Sequence, residues 1–486
     1  MRPDSELAPV LVPVLGAPRL RATLISTYDL GRQPFSLGSA AAWLEHAGCE
    51  VALADLAVRR LDEATVRTAD LIGLYLPMHT ATRLAMSAIG RLRGLNPTAH
   101  LCAFGLYAPM NESHLRSLGV DSIIGGEFEG ALVRLAARLA SAEPERPGSA
   151  EPSIVLSKQA FRRPERRKLP PLSDYASLMV PDGGRKRVGS TEATRGCKHR
   201  CRHCPIVPVY DGRFFVVQRD VVMQDIRQQV EAGAEHIAFG DPDFFNGVGH
   251  ATALVEQLHR EFPALTYDVT IKIEHLLKHA DALPVLCRTG CLFVTSAVES
   301  VDDGILGQLA KGHTRHDFLR AVDTCRAVGL DLSPTFVAFS PWSTLAGYRD
   351  LLQVIDDLDL VENVAPVQLA IRLLIPSGSR LLELEDIRRM VLPYDQAALC
   401  YPWAHPDPRV DALQAGIEAI VQAAPAERGR AAVFDQVWAR AHAAIGGASA
   451  DLGRSARDGR SVRPIPHLSE PWYCCAEPTA RQRDAF

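Results

Sequence analysis

Three cysteines spaced C-x3-C-x2-C lie on one short stretch, Thr194-Arg195-Gly196-Cys197-Lys198-His199-Arg200-Cys201-Arg202-His203-Cys204-Pro205. Thiols this close on one loop can ligate three corners of a cubane iron–sulfur cluster, whereas four cysteines would occupy every iron. The remaining iron is then open to a small molecule that can be held and reduced. Arg195, Lys198, His199, Arg200, Arg202 and His203 give the loop a basic rim, which suits a cluster carrying negatively charged thiolates. Zinc normally takes four ligands in a closed site, and here it would need a nearby histidine as well. The chemistry read from this stretch is that of an iron–sulfur site.

A second pair of thiols, Cys474 and Cys475, stands in Pro471-Trp472-Tyr473-Cys474-Cys475-Ala476-Glu477-Pro478. Adjacent cysteines between aromatics and prolines can pack as small hydrophobes or close a terminal metal clip. They can also trap a soft ligand, because thiolates select thiophilic centres, trivalent arsenic among them. Eleven cysteines without a secretory signal point to a reducing, cytoplasmic setting in which thiols serve metals and chemistry. The apolar start is cut by Pro9 and Pro13 and is too short to span a bilayer. A net charge of −4 gives no argument for nucleic acid or membrane as a partner.

The cluster stretch, with a strand before it, resembles the radical S-adenosylmethionine (SAM) superfamily. The resemblance implies a [4Fe–4S] cluster on Cys197, Cys201 and Cys204 and SAM chelated at the open iron. It also implies an electron, supplied through a donor such as flavodoxin or ferredoxin, that splits a sulfonium C–S bond. Phe239-Gly240-Asp241-Pro242-Asp243-Phe244-Phe245 occupies the family's GGE position, where backbone and polar groups orient the SAM amino group. Gly240, Asp241 and Asp243 are therefore carried over as SAM-binding candidates, with helix capping an equally good reading of Asp243. Lys272, in Thr270-Ile271-Lys272-Ile273-Glu274, ends a strand and is a candidate for SAM or substrate. Ala297-Val298-Glu299-Ser300, then Lys311-Gly312-His313-Thr314, is similar to the family's G-(I/V)-E-S … K-G-H-T passage, with Ala297 in place of the usual glycine. That likeness implies that Glu299 contacts SAM. Arg372, in a passage that resembles the R-L-L-x-P-x-G-S barrel ending, can pair with the SAM carboxylate or form a structural salt bridge.

These motifs need a scaffold. Residues 20–140 alternate strands (Arg21–Ser26, Cys49–Ala54, Ala69–Leu76, His100–Phe104) with helices (Ser36–Ala47, Ala81–Leu95), the pattern of a doubly wound Rossmann-like α/β domain. Together with the closing Gly125-Gly126-Glu127-Phe128-Glu129-Gly130, it resembles the cobalamin-binding domain that precedes many radical SAM barrels. The D-x-H-x-x-G motif of cobalamin ligation is absent from Tyr28-Asp29-Leu30-Gly31-Arg32-Gln33, so cobalamin is possible but not the favoured expectation. After a 1–19 extension and this domain, residues 141–186 read as a linker whose basic run Arg162–Lys168 is solvated and salt-bridged. Residues 187–390 predict a partial (βα)6 barrel on strands Val188–Thr194, His236–Gly240, Tyr267–Ile273, Leu292–Val298, Asp331–Phe339 and Ala365–Ile375. Sites in such barrels gather at the C-terminal strand ends. Residues 391–486 predict a mainly helical region, with helices Ala412–Ala424 and Ala431–Ile445, and the thiol-bearing tail.

The tail resembles that of a radical SAM subgroup named for its CUAEP/CCAEP ending, in which selenocysteine can replace the second of the paired residues. The resemblance implies transfer of the 3-amino-3-carboxypropyl group of SAM to trivalent arsenic, the chemistry of arsinothricin biosynthesis, with arsenite as substrate and Cys474 and Cys475 as its ligands. A third thiolate is open among Cys287, Cys291, Cys325 and Cys400. The alternative is a cobalamin-dependent radical SAM methyltransferase acting on a natural-product precursor. Which C–S bond of SAM breaks depends on geometry that sequence does not carry.

Overall fold

The computed structural model describes residues 19–141, 151–424, 429–444 and 464–470. The N-terminal sheet is all parallel, in the order β2-β1-β3-β4-β5-β6. Its strands are β1 (Arg21–Ser26), β2 (Glu50–Asp55), β3 (Leu71–Tyr75), β4 (His100–Phe104), β5 (Ser122–Gly126) and β6 (Ile154–Val155). All five residues of β3 are buried, as a continuous apolar strand at the centre of a doubly wound sheet must be. Two apolar clusters, one on each face, pack the helices Phe35–His46 and His79–Leu95 onto it. The fold class expected for this half is observed, with strand ends moved by one or two residues.

The expected linker is more structured than its composition suggests. It supplies β6 to the first sheet and β7 (Ser177–Met179) to the second. Arg166, expected in a solvated run, is buried. It pairs with Asp225 at 2.9 Å and donates to the carbonyls of Ser190 (2.6 Å) and Gln33 (3.1 Å), so one guanidinium joins linker, barrel and N-terminal domain. Its desolvation is offset because every direction of the planar fork finds an acceptor.

The second sheet runs β14-β13-β12-β11-β8-β7-β15. Its parallel core is β8 (Arg185–Thr191), β11 (His236–Phe239), β12 (Thr266–Thr270), β13 (Cys291–Glu299) and β14 (Asp331–Phe336). A two-stranded antiparallel ribbon, β9 (Thr194–Gly196) with β10 (Phe214–Val216), carries the cluster stretch. The sixth barrel strand expected over Ala365–Ile375 is not formed. Pro366 opens a 3-10 turn over Pro366–Leu369, and only the bridge Phe339–Arg372 continues the sheet. A proline that lacks an N–H and fixes φ favours the turn over the ladder. The barrel is therefore a half-barrel. Its open flank is covered by the helices Pro408–Ala423 and Arg430–Ala444, whose Leu413, Ile417, Phe434, Val437 and Trp438 join the same apolar core as β11 to β14. The last described segment adds β15 (His467–Leu468) antiparallel to β7. Among the described residues no helix is long and apolar enough to cross a membrane.

Candidate active site

The cluster stretch is held from three sides before any cofactor is considered. At its entry, Asp241 beyond β11 accepts from the Ala193 amide (2.9 Å) and the Thr194 hydroxyl (2.7 Å). In its middle, Asn246 accepts from the Lys198 amide (3.2 Å) and donates to the Gly196 carbonyl (3.2 Å). At its exit, the Arg202 amide donates to Leu309 (2.9 Å) and its guanidinium to Gln308 (2.8 Å). Gly196 turns the chain at φ +74°, where a Cβ would lie 2.5 Å from the Arg213 carbonyl and 2.6 Å from the Tyr210 ring, so only glycine fits.

Cys201 is buried, and Cys197 and Cys204 are half-buried. Burial, reinforced by neighbouring acidic and thiol groups, pushes Cys197 up to about 11 and Cys204 to about 12. Without metal these thiols stay protonated at neutral pH, so metal loading must release protons. The thiols are electrostatic neighbours, and Lys311 supplies a buried cation beside Cys201 and Cys204. Three converging thiols on a clamped loop with a buried lysine fit an anionic three-cysteine cluster.

Glu299 ends β13 at a β-bulge with φ +69°, a strained position for a side-chain-bearing residue. Its Oε1 accepts from Lys311 Nζ at 3.2 Å and faces His203 Nε2 at 3.1 Å. Burial opposes its charge, but Lys311 and His203 outweigh that and bring Glu299 down to about 2. Its carboxylate therefore favours the folded state above its ordinary value of 4.5. That stability is lost as pH falls through about 2. The shift corresponds to about 3 kcal/mol. Glu299→Gln is expected to melt earlier than wild type at neutral pH. The two curves should converge as pH falls from about 4.5 toward about 2; parallel curves across that range would exclude this linkage. The Nδ1 atoms of His203 and His313 are buried beside this pair without hydrogen-bond partners, open polar positions that suit the zwitterionic end of SAM. Lys311 and His203 escaped the list of candidates drawn from sequence, although both lie in stretches already singled out.

Other expected residues are placed as follows. Gly240 donates its amide to Thr191 and lines the cleft between the domains. Asp241 is buried as the loop anchor just described, and burial raises it to about 7. Asp243 is buried and caps the following turn through Oδ1, 3.1 Å from the Phe245 amide. Lys272 is buried beside Glu274 (3.2 Å) and His199 (3.1 Å). Arg372 is committed to structure: it pairs with Asp411 (2.7 Å), donates to the Trp403 carbonyl (2.6 Å) and lies 3.5 Å over the Trp403 ring. Cys474 and Cys475 lie outside the described residues. Of the candidate third thiolates, Cys287 is exposed on a helix, Cys291 and Cys325 lie in the core, and Cys400 lines a separate cavity of about 410 Å3 with Arg372.

The N-terminal domain grips the cluster stretch directly. Glu127 and Glu129 of the Gly125–Gly130 turn lie 3.9 and 2.6 Å from Arg195 Nη1, and Glu192 lies 2.9 Å from its Nε. The guanidinium sits 4.9 to 5.4 Å from the ring centres of Phe161, Phe128 and Phe35. Beside this cluster a cleft of about 220 Å3 is lined by Asp29, Arg32, Tyr75 and Gly126 on one side and Thr191, Arg195, Tyr210 and Pro242 on the other.

Residues 191–340 match the family model described as "Radical SAM superfamily". Residues 191–340 form a radical SAM domain. Its matched span holds the three cysteines, Glu299 and Lys311, the residues brought together above. A tRNA-2-methylthio-N(6)-dimethylallyladenosine synthase of Erythrobacter litoralis is 24% identical over 293 residues, 51% of this chain and 63% of that protein. The same-named protein of Pelobacter propionicus is 22% identical over 201 residues, 38% of this chain and 44% of its own length. The chain thus spans less than two thirds of these two relatives. A putative methylthiotransferase of Methanocaldococcus jannaschii is 24% identical over 342 residues, covering 65% of this chain and 70% of that one.

Among solved structures, the cobalamin-dependent radical SAM enzyme OxsB with aqua-cobalamin and SAM bound has a TM-score of 0.68 at 14% identity, covering 88% of this chain and 72% of that one. The radical SAM methyltransferase TsrM from Kitasatospora setae, with cobalamin and a [4Fe–4S] cluster bound, has a TM-score of 0.57 at 18% identity, covering 70% of each chain. These likenesses confirm the fold of the two-domain chain around the radical SAM domain. Both of these solved structures carry cobalamin, a property of those proteins. The cleft itself is tight for a corrin: it is smaller than the roughly 300–1,000 Å3 of ordinary small-molecule sites.

Proposed function

We propose that this chain is a radical SAM transferase that reductively cleaves SAM and passes a SAM-derived carbon group to an acceptor held where the two domains meet. In the first reading the acceptor is trivalent arsenic bound by Cys474 and Cys475, and the group transferred is 3-amino-3-carboxypropyl. One observation supports it above others. The chain leading to the tail is paired along β7, with Ser469 donating to Ser177 (2.8 Å) and accepting from its amide (3.0 Å). Glu470 packs against Gly31, next to cleft residues Leu30 and Arg32. Cys474 and Cys475 follow four and five residues later, within about 14 to 18 Å of Glu470 for extended chain.

When bound, a [4Fe–4S] cluster with an open iron supplies the electron and the chelating position for SAM. Cys197, Cys201 and Cys204 hold that group, and Lys311 offsets their charge. Glu299 presents a fixed carboxylate to the SAM amino group, kept ionised by Lys311 and His203. Asp241 and Asn246 keep the loop in register with the barrel mouth. Arg195, clasped by Glu127 and Glu129, ties that mouth to the N-terminal domain and so helps exclude water from it.

The second reading is cobalamin-dependent methyl transfer to a natural-product precursor. It is supported by the cobalamin-bearing relatives of the fold and by the position of the cleft between the same two domains. Anaerobic turnover of reconstituted protein with SAM, reductant and arsenite separates the two. Methylthioadenosine with an aminocarboxypropyl arsenical supports the first. S-adenosylhomocysteine without an arsenical, together with corrinoid absorbance in protein from cobalamin-fed cells, supports the second. In the first reading, the double variant Cys474→Ser, Cys475→Ser should retain iron and uncoupled SAM cleavage while losing the arsenical. Undiminished arsenical from that variant would remove the tail from the mechanism.

A further inference from the structure

Beside the cluster cysteines lies a second group of ligand-type side chains that the function above does not use. His199 projects from the cluster stretch and is 13% exposed, Asp243 follows β11 and His275 lies on the short helix Ile273–Lys278 after β12, both 1% exposed. One ligand atom from each falls within 4.8 Å of the others. His199 Nε2 is 3.2 Å from His275 Nε2 and 3.5 Å from Asp243 Oδ2. His275 Nδ1 is 2.6 Å from Asp243 Oδ2.

Metal–ligand bonds of about 2.0–2.2 Å place neighbouring donors about 2.9 Å apart in an octahedral site and about 3.4 Å in a tetrahedral one. One imidazole gives one nitrogen to a given cation: His199 Nε2 and Asp243 Oδ2, 3.5 Å apart, have the tetrahedral spacing, and His275 Nδ1 beside Asp243 Oδ2 is the third donor. A metal-free account would be a hydrogen-bonded chain from Lys272 through His199 and His275 to Asp243. Its first links have the required distances, with Lys272 Nζ 3.1 Å from His199 Nδ1. The last link is a buried ion-pair contact and not an aligned hydrogen bond: Asp243 Oδ2 and His275 Nδ1 lie 2.6 Å apart. Buried polar atoms left this way are costly unless something else satisfies them. Two such atoms converging beside a third donor are what a shared cation requires.

We propose that His199, Asp243 and His275 form a mononuclear site for a divalent first-row cation, distinct from the cluster on Cys197, Cys201 and Cys204. Two imidazoles and one carboxylate suit Zn2+ or Fe2+ rather than Mg2+ or Ca2+, which prefer oxygen. Glu274 Oε2 lies 3.6 Å from His199 Nδ1, the place of the outer carboxylate that orients a ligating histidine, and Lys272 balances its charge at 3.2 Å. Asp243 keeps its other oxygen on the Phe245 amide, so its free oxygen has a fixed direction. The cation would pin the cluster stretch to the loops after β11 and β12.

The test is metal counting on the reconstituted holoprotein, dialysed anaerobically against Zn2+ and then against metal-free buffer, with zinc and iron measured together by mass spectrometry. One tightly held zinc per chain at undiminished iron is expected in wild type. Asp243→Asn, which keeps the shape, and His275→Gln should each weaken zinc binding at least tenfold while iron content stays at the wild-type level. The iron count makes loss of the cluster visible separately from loss of this site. No retained zinc in wild type, or equal retention by both variants, would overturn the proposal, and the wild-type count decides even if one variant does not fold.

Discussion

Protein carrying Cys201→Ala is expected to purify without an iron–sulfur cluster and to cleave SAM no faster than background. Cys201 is the buried member of the three thiols and the electrostatic neighbour of the other two. Two cysteines cannot replace it, because each iron corner takes its own thiolate. The clamps on the loop come from Asp241, Asn246 and Arg202, not from the thiol, so the stability cost should be modest, about 1–2 kcal/mol. Iron and sulfide content, a melting curve and deoxyadenosine or methylthioadenosine formation test all three parts. SAM cleavage at the wild-type rate would show that the cluster lies elsewhere.

Arg195→Met should be the most destabilising single change in the site region. The wild-type guanidinium is 5% exposed and faces Glu127, Glu129 and Glu192. Removing one partner of a buried ionic cluster costs about 3–5 kcal/mol, because the charges left behind have neither water nor counter-ion. The pH dependence gives the argument its sign. Burial already pushes Glu127 up to about 7 against the pull of Arg195. Without that cation it rises further, so the variant's deficit should be small in acid, where the carboxyl is protonated, and should grow as pH rises through neutrality. Separate melting of the N-terminal domain and barrel is the accompanying signature, since Arg195 joins the two. A deficit that shrinks with rising pH would refute this account.

Much of the architecture could be read from the chain. Apolar runs give the strands β1 to β4 because a doubly wound sheet buries both faces of each strand, whereas β5, in a stretch read as the opening of a helix, was not expected. The C-x3-C-x2-C spacing identifies the cluster stretch because the donors are local. Glu299, at the end of β13, and the Lys311–Thr314 passage, between two helices, were legible for the same reason, each being a short local motif. The missing sixth strand was signalled by Pro366 and outvoted by an apolar run. Arg372 shows the limit of such transfer: its motif is present, but Asp411 and Trp403, 39 and 31 residues away, occupy its fork.

What tertiary structure alone decided is which distant residues share a point. Nothing in the order of residues says that Glu127 and Glu129 of the first domain close on Arg195 of the second. Nor does it say that Arg166 of the linker is buried among three parts of the chain, or that Glu470 returns to Gly31. His199, Asp243 and His275 lie on three separate segments, one of them the helix Ile273–Lys278, and meet only because parallel strands bring their C-terminal ends to one rim. Local chemistry is written in spacing, since neighbours in sequence are neighbours in space. A site assembled across loops depends on strand register and domain docking, whose free energy is spread over the whole core and carries no short signature.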